Sequence, residues 1–171
     1  MRLDIPDPAL VLLVGPSGAG KSTFAAAHFR PTEIISSDAL RAMLADDPAD
    51  QDASAEAFRV LAILANGRLK RRLLTVIDAT NLRAASRKQL RSLAARYGIP
   101  AVAVAFDLPA ELFAAHNEQR QDRVVAAEVV ADQTERMQEA MTDLVAENYA
   151  GIFVFRDVDV LKDATVTRSR S

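Results

Sequence analysis

The sequence predicts an α/β domain: a parallel sheet of about five strands with helices on both faces and an arginine-bearing lid. Three observations predict it. Apolar strand-like runs alternate with segments of helical periodicity, the pattern of a sheet covered by crossover helices. The first run, Ala9-Leu10-Val11-Leu12-Leu13-Val14, feeds a glycine-rich loop that opens a helix. The 171 residues, 50% hydrophobic and 26% charged, suit one domain with one sizeable core.

That loop reads Gly15-Pro16-Ser17-Gly18-Ala19-Gly20-Lys21-Ser22, a full match to the Walker A phosphate loop of P-loop NTPases. Its glycines let successive N–H groups turn inward toward phosphate oxygens. The helix that begins near Lys21 and runs through Thr23 to His28 adds its positive N-terminal dipole. Gly15, Ser17, Gly18, Ala19, Gly20, Lys21, Ser22 and Thr23 are therefore the expected triphosphate site. Lys21 is placed to bridge the β- and γ-phosphates, and the Ser22 hydroxyl to ligate Mg²⁺. An NTP, such as ATP, with Mg²⁺ is the expected cofactor.

The remaining elements follow in order. Thr32 to Ser36 reads as a short second strand ending at Ser37-Asp38, followed by a helix from Ala39 to Ala45. Asp46 to Asp52 is an acidic surface loop. Ser54 is placed to cap the next helix, whose buried stripe is Ala57, Leu61, Leu64 and Ala65. Leu73 to Ile77 is the third strand and runs into Asp78-Ala79-Thr80-Asn81. Leu90, Leu93, Ala94 and Tyr97 mark a helix that ends near Gly98. Ala101 to Phe106 is a fourth strand, apolar throughout as burial on both faces requires. A helix through about Asn117, a polar lid over about 117–125, and a long helix with Val130, Met137, Met141, Leu144 and Val145 come next. Ile152 to Phe155 is the fifth strand, and residues 165–171 read as a frayed tail. One domain, 1–171, accounts for the chain.

Composition narrows the function. Without cysteine the fold depends on no disulfide or thiolate zinc site, in keeping with a reducing cytoplasm. No apolar run approaches the roughly 20 residues that span a bilayer. The net charge of −2 confines nucleic-acid contact to a local patch. Such a patch is available between Arg68 and Arg96, where nine basic residues (Arg68, Lys70, Arg71, Arg72, Arg83, Arg87, Lys88, Arg91, Arg96) face one acid, Asp78. Solvated helix faces carry similar runs.

Ligands of open parallel sheets sit beyond the carboxyl ends of the strands, where three polar clusters fall. Asp38 and Arg41, three residues apart, share one helix face. A phosphotransferase needs a carboxylate to accept the proton of the attacking hydroxyl and a cation to orient an anionic acceptor, and these two supply both. The bland alternative is that Asp38 only caps its helix. Asp78, at the end of an apolar strand, stands where a Walker B aspartate holds Mg²⁺, or else closes a turn. Asn81 either fixes that loop or touches substrate. Arg120 and Arg123, flanking Asp122, are placed in a lid that closes on triphosphate. His28 reads as structural.

These blocks together resemble the kinase module of bacterial polynucleotide kinase-phosphatase, an RNA end-healing and repair enzyme. The match is carried by Gly15 to Phe24, by Ile35-Ser36-Ser37-Asp38 with Arg41, by Val76 to Asn81, and by Asn117 to Val124. The resemblance implies transfer of the γ-phosphate of an NTP to the 5′-hydroxyl of RNA or DNA. It implies Lys21, Ser22 and Mg²⁺ at the donor, Asp38 as general base, Arg41 near the acceptor, and Arg120 and Arg123 in the lid. His116 stands where the family commonly has arginine. The resemblance further implies a homodimer, and in the bacterial enzyme a phosphatase and a ligase-like domain follow this module.

Two other readings stand beside this one. A small-molecule kinase acting on a sugar, nucleoside or antibiotic hydroxyl needs the same catalytic residues. A nucleotide-dependent switch needs only the phosphate loop. With no Trp and two Tyr, the chain offers little aromatic surface for stacking bases, so recognition of backbone and terminus is expected.

Overall fold

The computed structural model describes residues 1–109 and 127–170. Five strands form the central sheet: β2 (Leu10–Val14), β3 (Ile34–Ser36), β4 (Thr75–Asp78), β5 (Ala101–Phe106) and β6 (Gly151–Phe155). All neighbours are parallel, in the order β3-β4-β2-β5-β6. The chain starts this sheet at its centre, builds β3 and β4 to one side, then crosses to build β5 and β6 on the other. The reversal beside β2 is the switch point at which such sheets open a crevice.

The helices are α1 (Lys21–His28), α2 (Ser37–Ala45), α3 (Ser54–Lys70), α4 (Ala84–Arg96), α5 (Ala127–Ala146) and the short α6 (Val158–Lys162). Alternation along β2 divides the core. Leu10, Leu12 and Val14 face one side, where α3, α4 and α5 cover them with Leu61, Leu90, Met137 and Leu144. Val11 and Leu13 face the other side, against Phe24 of α1 and Phe106 and Phe155. Those three rings meet at centroid distances of 5.5–5.6 Å, in tilted or edge-on contacts favoured by their quadrupoles. All five β2 residues are fully buried, as a continuous apolar run in a doubly covered sheet demands.

Several expectations need correction. Residues 165–170 are not a frayed tail: β7 (Thr165–Arg170) pairs in parallel with β1 (Arg2–Asp7), forming a second, two-stranded sheet. Leu3 and Ile5 of β1 are fully buried in the second core cluster. Arg168 fastens this ribbon to the turn before β3, donating to Glu33 Oε1 and Oε2 at 2.9 and 2.7 Å. Leu64 and Val145 are 44% and 81% exposed, so neither belongs to its helix's buried stripe. The third strand starts at Thr75, because Leu73 is still in the turn and half exposed. Residues Pro31–Glu33 form a 3₁₀ turn, leaving the second strand only three residues. Ser54 is the first residue of α3, and its Oγ donates to Gln51 instead of capping the helix. The helix expected after Pro109 lies outside the described residues. Among the described residues no helix is long and apolar enough to cross a membrane.

Candidate active site

The site forms where β2, β3 and β4 end. After Val14 the chain turns at Gly15, whose N–H donates to Thr80 O at 2.9 Å and joins the phosphate loop to the loop after β4. Gly18 and Gly20 take left-handed backbone angles, φ 85° and 86°, which side chains disfavour. Gly20 is the N-cap of α1, so the first helical N–H groups start at Lys21 and face the loop's hollow. The buried Lys21 side chain arches back, its Nζ donating to Pro16 O at 2.6 Å.

The pocket enclosed by this loop is lined by Ser17, Gly18, Gly20, Lys21, Ser22, Asp38, Asp78, Ala79 and Thr80. Ser22 and Asp78 thus share one wall. A hydroxyl and a carboxylate are hard oxygen donors that fit Mg²⁺, which takes one or two protein ligands and completes its shell with phosphates and water. Asp78 is the buried last residue of β4, paired in register with Leu13 and Ser36.

A larger cavity, about 760 Å³, adjoins the first. Ser17, Asp38 and Thr80 line both. Asp38 stands in the first turn of α2, but the cap is Ser36, whose Oγ accepts from Ala39 N at 3.4 Å. The bland reading of Asp38 as a helix cap is therefore wrong. Its Oδ1 receives the Arg41 guanidinium and the Ser37 hydroxyl. Arg41 is held on its other edge by Pro48 O, 2.8 Å from Nε. Its side chain is 6% exposed and that of Asp38 is 39%, so the pair presents its carboxylate to the cavity.

Asn81 is 2% exposed, with its backbone at φ 50°. Its Nδ2 donates to Leu13 O at 2.7 Å, stitching the β4 loop to β2. Of the two roles open to it, the bonded half of the side chain fixes the loop. Oδ1 reaches no donor among the described residues, and the residue also lines the cavity. Thr23 follows Ser22 in the first turn of α1. Arg120, Arg123, His116 and the lid lie outside the described residues.

Sequence reasoning missed part of this cavity. Gln133 and Arg136 of α5 line it, as do Gln51 and Asp52 of the acidic loop, Phe58 of α3, and Arg83 and Ser86 at the start of α4. Gln133 Oε1 accepts from Ser17 N at 2.7 Å. One signal was available: Gln133 continues the buried stripe Met137, Ala140 and Leu144 at steps of four, three and four, where packing alone calls for an apolar residue.

The basic run from Arg68 to Arg96 is largely spent on the protein itself. Arg87 is fully buried and donates to Glu147 (Nη2–Oε1 2.7 Å) and to the carbonyls of Asn81 and Leu82 at 3.0 and 2.7 Å. Burial would raise the Glu147 carboxyl, but hydrogen bonding and charge from Arg87 outweigh it and hold the pKa below the ordinary range. Arg68, Arg71 and Arg72 donate to backbone carbonyls. Arg91 lies 5.2 Å over the Tyr149 ring. His28, half-buried against Phe24 at 4.6 Å, has its pKa lowered by burial, in keeping with a structural role.

The family model described as an AAA domain, AAA_33, matches residues 10–144. No curated protein matches the chain. Among solved structures it is similar to a chain of the Pnkp1/Rnl/Hen1 RNA repair complex, with 23% identity and a TM-score of 0.69, over 81% of this chain and 46% of that one. It thus spans about half that chain's length. It is also similar to a putative kinase from Chloroflexus aurantiacus, with 12% identity and a TM-score of 0.60, over 90% and 91% of the two chains. A sugar kinase from Janibacter sp. aligns at 19% identity and TM-score 0.54, over 95% and 85%. At these identities the likeness is one of fold: the parallel five-stranded sheet and flanking helices are those of P-loop kinases.

Proposed function

Since the chain belongs to the AAA domain family, we propose that it is a phosphotransferase moving the γ-phosphate of ATP or another NTP to the 5′-hydroxyl end of RNA or DNA. One observation carries the reading. Asp38 lies on the wall common to the phosphate pocket and the large cavity, the place from which a carboxylate reaches a hydroxyl attacking the terminal phosphoryl. In this reading the backbone amides of Gly18 to Ser22 and the Lys21 ammonium hold the triphosphate. Ser22 and Asp78 are the residues that would hold Mg²⁺, which would neutralise phosphate charge there. The Asp38 carboxylate takes the proton of the acceptor hydroxyl, and Arg41, bonded to its Oδ1, orients that carboxylate. Arg120 and Arg123 supply cations to the phosphoryl group in flight.

The polynucleotide acceptor is supported by the four sequence blocks and by the likeness to a chain of an RNA repair complex. The likeness to a sugar kinase favours a small hydroxyl compound as the second reading. Both are separated by one experiment: γ-labelled ATP, Mg²⁺ and a 5′-hydroxyl oligonucleotide, run against a panel of sugars and nucleosides. Label is expected on the oligonucleotide 5′ end alone, and label on a small acceptor alone overturns the polynucleotide reading. Asp38→Ala is expected to lower turnover by about 10²- to 10⁴-fold with ATP affinity nearly intact, the usual worth of a positioned base. Loss of ATP binding in that variant overturns the assignment of the base. Arg123→Ala is expected to lower turnover more than ATP affinity, because the charge it meets is greatest in the transition state.

A further inference from the structure

We propose that Gln133 is a positioning residue for phosphoryl transfer, one that locks the phosphate loop to α5 at the border between donor pocket and acceptor cavity. The inference rests on the phosphotransferase reading above. Ser17 lines both cavities, so the orientation of its peptide sets the boundary across which the phosphoryl passes. Its N–H, in a residue only 5% exposed, is satisfied by Gln133 Oε1 at 2.7 Å. Solvent has little access to replace that bond, so without Gln133 the peptide is left to turn toward another acceptor.

Gln133 is half-buried and stands on the side of α5 that carries the buried Met137, Ala140 and Leu144. A leucine there would extend the core. The opposite end of α5 is fastened to α4: Asp143 in its last turn and Glu147, the residue after it, both accept from Arg87. Arg83 and Ser86, at the start of α4, line the acceptor cavity beside Gln133 and Arg136. The helix therefore connects the donor loop at one end to the element carrying the acceptor wall at the other. Transfer depends steeply on the separation and alignment of the two reactants, and a displacement of about 1 Å is able to lower a rate a hundredfold. Gln133 acts through Ser17 and holds that separation.

The test uses Gln133→Leu in the full chain, which completes the apolar stripe while deleting the hydrogen bond. Thermal midpoint, ATP affinity, turnover and hydrogen exchange of the Ser17 amide are measured together. The expected result is a midpoint equal to or above that of the parent and ATP affinity within about twofold. Turnover falls about ten- to hundredfold, and exchange at Ser17 is faster. Turnover within twofold of the parent overturns the proposal. So does a loss of turnover that only follows a loss of folded protein, or a gain in ATP affinity, which would make Gln133 an obstruction. Hydrolysis of ATP by water, run without any acceptor, reads the same residue if the oligonucleotide is not the substrate. A parent protein that hydrolyses ATP yet labels no oligonucleotide sinks the acceptor assignment alone, and the variant's hydrolysis rate still decides the role of Gln133. A parent that turns over no ATP under either condition overturns both.

Discussion

Gly15 and Gly20 are required for different reasons, and the difference is measurable. A Cβ at Gly15 would lie 3.0 Å from Phe106 Cβ and 3.3 Å from Phe106 O, contacts that the packed end of β5 has no room to relieve. A Cβ at Gly20 would meet only the tip of Leu161, at 3.6 Å, but the residue's φ of 86° strains any side chain. Gly15→Ala is expected to lower stability by about 1–3 kcal/mol, the range for overpacking, and to weaken ATP binding by displacing the loop. An unchanged urea midpoint and ATP affinity would show that the loop yields. The phosphate loop was readable because its chemistry is local: eight consecutive residues define the turn, the cation and the hydroxyl. The pairing of Asp38 with Arg41 was readable for the same reason, three residues apart on one helix. Gln133 was not, because its partner Ser17 is 116 residues away: its place in the apolar stripe of α5 marks it as out of pattern but does not say what it bonds.

Among elements, the coupling of α4 to α5 is the clearest. Arg87 is among the largest fully buried side chains of the described residues, and its guanidinium is met by Asp143 of α5, by Glu147 just past that helix, and by carbonyls of the β4–α4 loop. Arg87→Met is expected to lower stability by about 3–5 kcal/mol, because it removes the hydrogen-bonded cation of Glu147, 10% exposed, and leaves only Arg91 at 3.6 Å. A double variant, Arg87→Met with Glu147→Leu, is expected to recover most of that loss, which denaturant unfolding of the three variants checks. The sequence placed both helices, and their apolar spacing identified Leu90, Ala94, Met137 and Leu144 correctly. It assigned Arg87 to a solvated basic face, because helical periodicity scores hydrophobicity and has no way to register a charge whose partner lies sixty residues on. Leu64 and Val145 failed for the converse reason. They are apolar, and the spacing admits them, but neighbouring helices leave those positions uncovered.

At the scale of the whole molecule, the first and last strands are joined across the entire sequence. Neither was expected: β1 carries a proline and two acids, and β7 alternates with arginines, so each reads as a loop until the other is beside it. Removal of residues 165–171 is expected to uncover Leu3 and Ile5, at about 1.5–3 kcal/mol for each, and to lower the urea midpoint accordingly. The pH response of the domain follows from Glu33 and Glu147. Burial would raise both carboxyls, but arginine partners hold them below the ordinary value of 4.5. Their contribution is therefore complete above that value and is lost as pH falls through the depressed values of the folded state. Thermal midpoints measured from pH 7 to pH 3 are expected to fall steeply only below about 4.5, and Glu147→Gln is expected to flatten that fall. A fall between pH 7 and 5 would be the share of His28, whose pKa burial lowers, so that acid begins to cost stability near its ordinary 6.5. The β1–β7 ribbon also has a mechanical consequence. Its strands run in parallel, with residue 2 opposite 165 and residue 7 opposite 170. Tension applied between residues 1 and 170 would load the whole six-rung ladder in shear at once, instead of peeling it rung by rung, and so the ends of this domain should resist pulling far better than their short length suggests.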